Sequence, residues 1–157
     1  MITHLNGRTT ILFASDFPDR VEQKTGILFR HDKLNCAESV FRALLEESGN
    51  SCSLELLRTA SSFGRGMGGA GCCCGALIGG EMAIGFLFGR TKENDFYPDV
   101  CGHVAKQLYD RFVEHNRVTC CRVLHKGLPY GTPEQFGACA KRAVEAARIA
   151  AEVILRQ

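Results

Sequence analysis

The stretch Phe63-Gly64-Arg65-Gly66-Met67-Gly68-Gly69-Ala70-Gly71-Cys72-Cys73-Cys74-Gly75-Ala76-Leu77-Ile78-Gly79-Gly80 constrains this chain more than any other. Its glycines admit positive φ and let other groups approach the backbone closely, so the run reads as a tight loop. The loop empties into three consecutive cysteines, which open an apolar segment that continues to Phe88. Sulfur at a helix start meets unpaired N–H groups and the positive end of the helix dipole, both of which favour thiolate over thiol. Gly66, Gly68, Gly69, Gly71 and Gly75 are therefore candidates for lining a cofactor, and Cys74 for the reacting or ligating sulfur. A glycine run before a helix also suits phosphate. Gly64-x-Gly66-x-x-Gly69 fits a dinucleotide-binding pattern in form only. It follows a helical rather than a strand pattern, so no nucleotide is expected.

Nine cysteines in 157 residues are the anomaly of the composition. An odd number argues against a purely structural disulfide framework. No two cysteines are spaced as C-x-x-C, which removes the usual zinc-ribbon, ferredoxin and thioredoxin-like motifs and the haem-attachment motif. No haem is expected, and any sulfur site must be assembled from separate elements. A formal charge of +2 with mixed signs carries no nucleic-acid footprint. The apolar segment from Ala76 to Phe88 is interrupted by glycine, carries Glu81 and is too short to span a bilayer, so no membrane insertion is expected. The N-terminal residues hold no signal-peptide core, so a cytoplasmic location is expected, where thiols stay reduced unless catalytic or metal-bound.

The length suits a single domain over residues 1–157, with 1–15 an ambiguous extension that reads as a short strand or a frayed helix. Asp16 and Pro18 open a helical segment to about Arg30. Asn35 reads as the N-cap of a helix from Cys36 to about Ser48, with Cys36, Val40, Phe41, Leu44 and Leu45 on its inner face. Ser53 starts a helical pattern that ends at Phe63. The next helix, Cys74 to Phe88, is apolar nearly all round, with Gly79 and Gly85 marking close neighbours. Pro98 opens a helix to about His115, Thr119 caps a short turn through Cys120 to Leu124, and Thr132-Pro133-Glu134-Gln135 forms a capping box for a last helix to about Leu155. The whole reads as an all-α bundle of five or six helices around a central buried one.

Cys36, Cys74, Cys121 and Cys139 each fall in the first turns of a separate helix in this reading. If those starts converge, one pocket receives four soft anionic ligands, a donor set for an iron–sulfur cluster, zinc or copper(I). Asn35-Cys36-Ala37, the glycine run closing on Cys74-Gly75-Ala76-Leu77-Ile78-Gly79, Cys121-Arg122 before Leu124, and Cys139 in an alanine-rich last helix resemble the family called C_GCAxxG_C_C. That family is regarded as redox-active, is known for four cysteines and a C-G-A-x-x-G motif, and is similar to the non-haem part of split-Soret cytochromes. The resemblance implies that Cys36, Cys74, Cys121 and Cys139 are the functional set.

The chain departs from that pattern in two ways. Cys72 and Cys73 precede Cys74 and Cys120 precedes Cys121, so three extra thiols are candidates for an enlarged site. Glu81, seven residues after Cys74, shares its helix face and is a candidate proton carrier or oxygen ligand. An ion pair with Arg65 or Arg122 is the plainer expectation for it. His125, four residues after Cys121, is within reach of a metal but is as readily a turn cap. The leading expectation is a redox protein that holds an iron–sulfur cluster, for electron transfer or small-molecule reduction. The alternatives are a metal-free thiol–disulfide oxidoreductase and a non-catalytic zinc- or copper-binding module. The alanine-rich helices also suit a homodimer.

Overall fold

The computed structural model describes residues 2–5, 8–11, 13–93 and 99–157. Near the N-terminus, β1 (Ile2–Leu5) and β2 (Arg8–Ile11) pair as an antiparallel hairpin with Ile2 opposite Ile11 and Leu5 opposite Arg8. Within the ambiguous extension, Ile2–Leu5 and Arg8–Ile11 are thus strand. The rest is helical, in the order α1 (Phe17–Arg30), α2 (Cys36–Glu47), α3 (Leu54–Arg58), α4 (Gly64–Met67), α5 (Gly75–Phe88), α6 (Asp99–Asn116), α7 (Cys121–Leu124) and α8 (Pro133–Leu155). Five of these are long, as the apolar periodicities require, α3 and α7 are single turns or little more, and the α4 segment is broken by non-helical backbone at Arg65 and Gly66. The start assigned to α6 at Pro98 lies outside the described residues.

α5 is the centre, packed against α2, α6 and α8, while α1 closes the bundle against α8 and α2. One continuous core gathers Phe17, Phe41, Leu44, Leu77, Ile84, Leu108, Phe112 and Ile154, all 2% exposed or less. The chain folds as a single all-α domain around this core, with the hairpin appended. Small residues permit the close crossings: a Cβ on Gly79 would fall 2.4 Å from the Ala37 carbonyl oxygen of α2. Gly85 differs from expectation, since a Cβ there meets open space. Among the described residues no helix is long and apolar enough to cross a membrane.

The helix ends show how local chemistry sets the frame. Asn35 caps α2 by accepting from the Ala37 and Glu38 amides, and Glu38 returns the favour to the Asn35 amide, completing a capping box. Thr132 caps α8 through the Gln135 amide, but the Gln135 side chain turns instead to the Gly131 amide. Asp16 precedes α1 without a side-chain cap, because its carboxylate is drawn to Arg20. The segment after α3 is not a continued helix. It tightens into a 3-10 turn at Ser61–Phe63 and then enters the glycine loop.

Candidate functional site

The glycine loop is wound in the left-handed region from Arg65 to Gly69, with φ of 59°, 68°, 53°, 65° and 100° in turn. Arg65 and Met67 are not glycines, and such backbone costs about 1–2 kcal/mol per residue unless surroundings hold it. One contact that holds Arg65 is the stacking of its guanidinium 4.6 Å from the centre of the Tyr130 ring, and its backbone lies close enough to Cys36 to favour that thiolate. At Gly66 the requirement is also spatial, since a Cβ would lie 2.8 Å from the Cys121 Cβ and from the Cys72 amide nitrogen.

This winding carries the cysteine triple across to α7. The Arg122 amide donates to the Gly71 carbonyl at 3.0 Å and the Cys74 amide to the Thr119 carbonyl at 2.7 Å. Thr119 is therefore a strut for Cys74 rather than the cap of α7, whose N-cap is Cys120. Cys74 is itself the N-cap of α5, so the helix begins one residue later than its sequence suggests.

Seven cysteines meet at this end of the bundle. Cys36, at the first position of α2, and Cys139, between one and two turns into α8, lie close enough that each shifts the other's ionisation. A Cβ on Gly75 would lie 2.6 Å from the Cys36 sulfur, which explains the glycine directly after Cys74. Cys36, Cys74 and Cys121 all act electrostatically on the Cys139 thiol. The four residues singled out in the sequence are thus neighbours in space, contributed by four separate helix starts. Cys73 donates to the Thr119 carbonyl at 3.6 Å. Cys72 and Cys120 are bonded to each other as a disulfide across 48 residues of chain. Sequence reading offered both as extra thiolate ligands; paired in this way they have no thiolate to offer.

The charge state departs from the simple helix-dipole expectation. Only Cys36 follows it: hydrogen bonds from Cys139 and from backbone amides lower its thiol to about 7 against the pull of burial. Burial and the neighbouring Cys36 and Cys121 push the Cys74 thiol up to about 12, outweighing the amides at the start of α5. Cys121 is raised by burial and by Cys36 and Cys73. Cys139 is raised by its hydrogen bond to Cys36 and by burial. Crowded thiols inhibit one another's ionisation, so the site on its own sustains one thiolate readily and several only with added positive charge.

His125 closes one side and is 8% exposed. Its Nδ1 lies 3.0 Å from the Cys121 carbonyl oxygen and 3.6 Å from the Cys121 sulfur, while Nε2 is buried with no partner among the described residues. Its position four after Cys121 was the only sequence signal of this role. Glu81 stands apart. Seven residues of helix put it about 10 Å along α5 from Cys74, and burial raises its carboxyl to about 7. Neither Arg65 nor Arg122 pairs with it among the described residues. Two adjoining cavities, about 340 and 220 Å³, open beside Cys139 and share Arg65, Tyr130 and Gln135. The remaining loop glycines divide: Gly69 and Gly71 line the larger cavity, and Gly68 lines neither.

With this arrangement in view, a family model described as "Putative redox-active protein (C_GCAxxG_C_C)" matches residues 34–153. The chain belongs to the C_GCAxxG_C_C family. The match runs from the residue before the α2 cap into the last turns of α8, so it contains every cysteine of the cluster. No curated protein and no solved structure matches the chain.

The donor set of this C_GCAxxG_C_C chain fits a sulfur-ligated metal centre in its chemistry: four soft thiols stand together, with two glycines whose missing Cβ atoms make room for sulfur. Among the described residues no three of these side chains are already gathered as finished metal ligands. The cysteines are neighbours in hydrogen-bonding and electrostatic range, not a closed coordination shell.

Proposed function

We propose that this family member is a redox protein whose Cys36, Cys74, Cys121 and Cys139 hold an iron–sulfur cluster. The observation that carries the reading is that four thiols from four helix starts lie within electrostatic range of one another at a single site. An iron–sulfur cluster supplies one-electron chemistry when bound, and its cations relieve the crowding that holds Cys74, Cys121 and Cys139 protonated. The protein's part is to position sulfur: α2 and α5 fix Cys36 and Cys74 in the buried wall, and α7 and α8 bring Cys121 and Cys139 from the side facing the cavities. Backbone amides at the starts of α2 and α5 favour the charged form of these sulfurs and would tune the potential. The task that suits such a centre is electron transfer or reduction of a small molecule. Purification under anaerobic conditions, followed by iron and acid-labile sulfide analysis, tests the reading. Both elements are expected in stoichiometric amounts and are lost together in Cys121→Ser and Cys139→Ser. Stoichiometric zinc or copper without sulfide identifies a metal-binding module instead.

A second reading draws on the Cys72–Cys120 disulfide. It lies directly beside Cys73 and Cys121, an arrangement suited to thiol–disulfide exchange. Reduction takes up two electrons and two protons and returns two thiols, adjacent to two that are already reduced. Metal-free protein whose thiol count rises by two with dithiothreitol, and falls back on reoxidation, favours this reading over the cluster.

A further inference from the structure

The Cys72–Cys120 disulfide joins two segments that backbone hydrogen bonds already hold together. On one side of it the Arg122 amide donates to the Gly71 carbonyl at 3.0 Å. On the other the Cys74 amide donates to the Thr119 carbonyl at 2.7 Å. Opened, the bridge leaves its two sulfurs as neighbours, because the segments that carry them remain tied at both flanks. Such a disulfide can be reduced and re-formed without the site coming apart.

Its surroundings are sulfur. Cys72 adjoins Cys73 and stands two residues before Cys74, and Cys120 adjoins Cys121. The point that a Cβ on Gly66 would fill lies 2.8 Å from both the Cys121 Cβ and the Cys72 amide nitrogen, so the Cys121 side chain reaches the Cys72 backbone. Consecutive Cα atoms are about 3.8 Å apart, which puts the bridge a residue or two from Cys74 and Cys121. Cys72 and Cys120 are both half-buried. The bridge thus adjoins the four-thiol site and keeps some access to solvent.

The two neighbours differ in how they take up electrons. A disulfide is opened by two electrons and two protons, which give two thiols. Iron–sulfur chemistry at the four-thiol site moves electrons singly. A one-electron carrier opens a disulfide poorly by itself, because a half-reduced bridge is not a stable product. An electron held next to the bridge until a second arrives removes that difficulty.

We propose that Cys72–Cys120 is a working disulfide, opened by two single electrons that arrive in succession at the four-thiol site, and that the resulting dithiol reduces an external disulfide. In the first half the S–S bond breaks, two electrons enter, and two protons from solvent complete the Cys72 and Cys120 thiols. In the second half one of these thiols attacks the external disulfide and the other resolves the mixed disulfide. The Cys72–Cys120 bond re-forms and two external thiols leave. The donor is a one-electron carrier and the acceptor a disulfide, of a small molecule or of a protein. This rests on Cys36, Cys74, Cys121 and Cys139 holding the cluster, and adds to that reading the couple that the cluster serves.

Anaerobically purified protein with the bridge closed is mixed with reduced methyl viologen, a one-electron donor, and quenched with iodoacetamide. Tandem mass spectrometry then maps the label, and iron and circular dichroism are measured on each sample. Label on both Cys72 and Cys120 is expected in iron-loaded protein, with about two viologen radicals consumed per bridge opened. In Cys139→Ser, which lacks iron, viologen leaves the bridge closed while dithiothreitol still opens it. The double variant Cys72→Ser/Cys120→Ser keeps its iron and its helical content, yet no longer passes electrons from viologen to oxidised glutathione or to insulin, read as free thiols formed. The parent reduces at least one of the two, glutathione marking a small acceptor and insulin a protein one. Iron-loaded protein whose bridge stays closed with viologen overturns the proposal and leaves the cluster standing. So does a bridge that opens equally fast in Cys139→Ser, a parent that reduces neither acceptor, or a double variant as active as the parent. Protein without iron overturns the cluster reading and this proposal together.

Discussion

A Cβ at Gly75 would lie 2.5 Å from the Phe63 carbonyl oxygen and 2.6 Å from the Cys36 sulfur, and one at Gly79 would lie 2.4 Å from the Ala37 carbonyl oxygen. Backbone oxygens cannot rotate away, so Gly75→Ala and Gly79→Ala are each expected to lower stability by about 1–3 kcal/mol in urea denaturation. Gly85→Ala meets open space and should instead raise it, by about 1 kcal/mol or less. These three glycines are indistinguishable as letters in an apolar helix; only the crossing of α2 over α5 separates them.

Glu81 is the other residue whose surroundings decide its behaviour. Its carboxyl is raised from 4.5 to about 7 by burial alone. The folded state therefore binds the proton more tightly than the unfolded state, and stability falls as pH rises from about 4.5 towards 7. Glu81→Gln removes the group that must ionise. It is expected to be more stable than the parent above pH 7, by about 2–3 kcal/mol, and equal to it below about pH 4.5. Melting temperatures of both proteins across that pH range check this; an advantage that does not vary with pH contradicts it.

At the scale of elements, the entry to α2 joins stability to the site. Asn35 accepts from two amides of the first turn, and its Nδ2 donates to the Ser61 carbonyl at 3.1 Å, just ahead of the glycine loop. Asn35→Ala is expected to cost about 1–2 kcal/mol and to loosen Cys36 and Arg65 relative to each other. Asn35→Asp keeps the cap and loses only the tie to Ser61, so it should retain most of that stability. Denaturation midpoints of the pair distinguish cap from tie.

The α2 cap was legible in the sequence because Asn35 lies one residue before Cys36 and an apolar stripe follows. The Thr132-Pro133 start of α8 was legible for the same reason. The return bond from Glu38, the strut from Thr119 to Cys74 and the diversion of Gln135 to Gly131 were not. Each depends on which of several nearby partners a polar group prefers once the chain has bent.

For the molecule as a whole, periodicity was enough for the five long helices and for the burial of α5, since apolar stripes have few other ways to leave water. The positions of cysteines near helix starts gave four of the seven that meet. What spacing could not give is pairing. Cys72 and Cys120 are 48 residues apart, and only the wound loop brings them together. Nor could it give the charge state, because the helix-start argument counts the amides around each sulfur and omits the neighbouring thiols and the burial that dominate at Cys74 and Cys121. His125 was visible as a spacing but not as a buried imidazole with one nitrogen engaged and the other waiting.

The central claim is that four converging thiols hold a redox cluster. It is tested most directly by the visible absorption and electron paramagnetic resonance spectra of the anaerobically purified protein before and after dithionite. The account predicts broad visible absorption that dithionite bleaches, with a paramagnetic signal changing in step, and the loss of both in Cys74→Ser. A colourless protein without iron, identical in spectrum to Cys74→Ser, would contradict it.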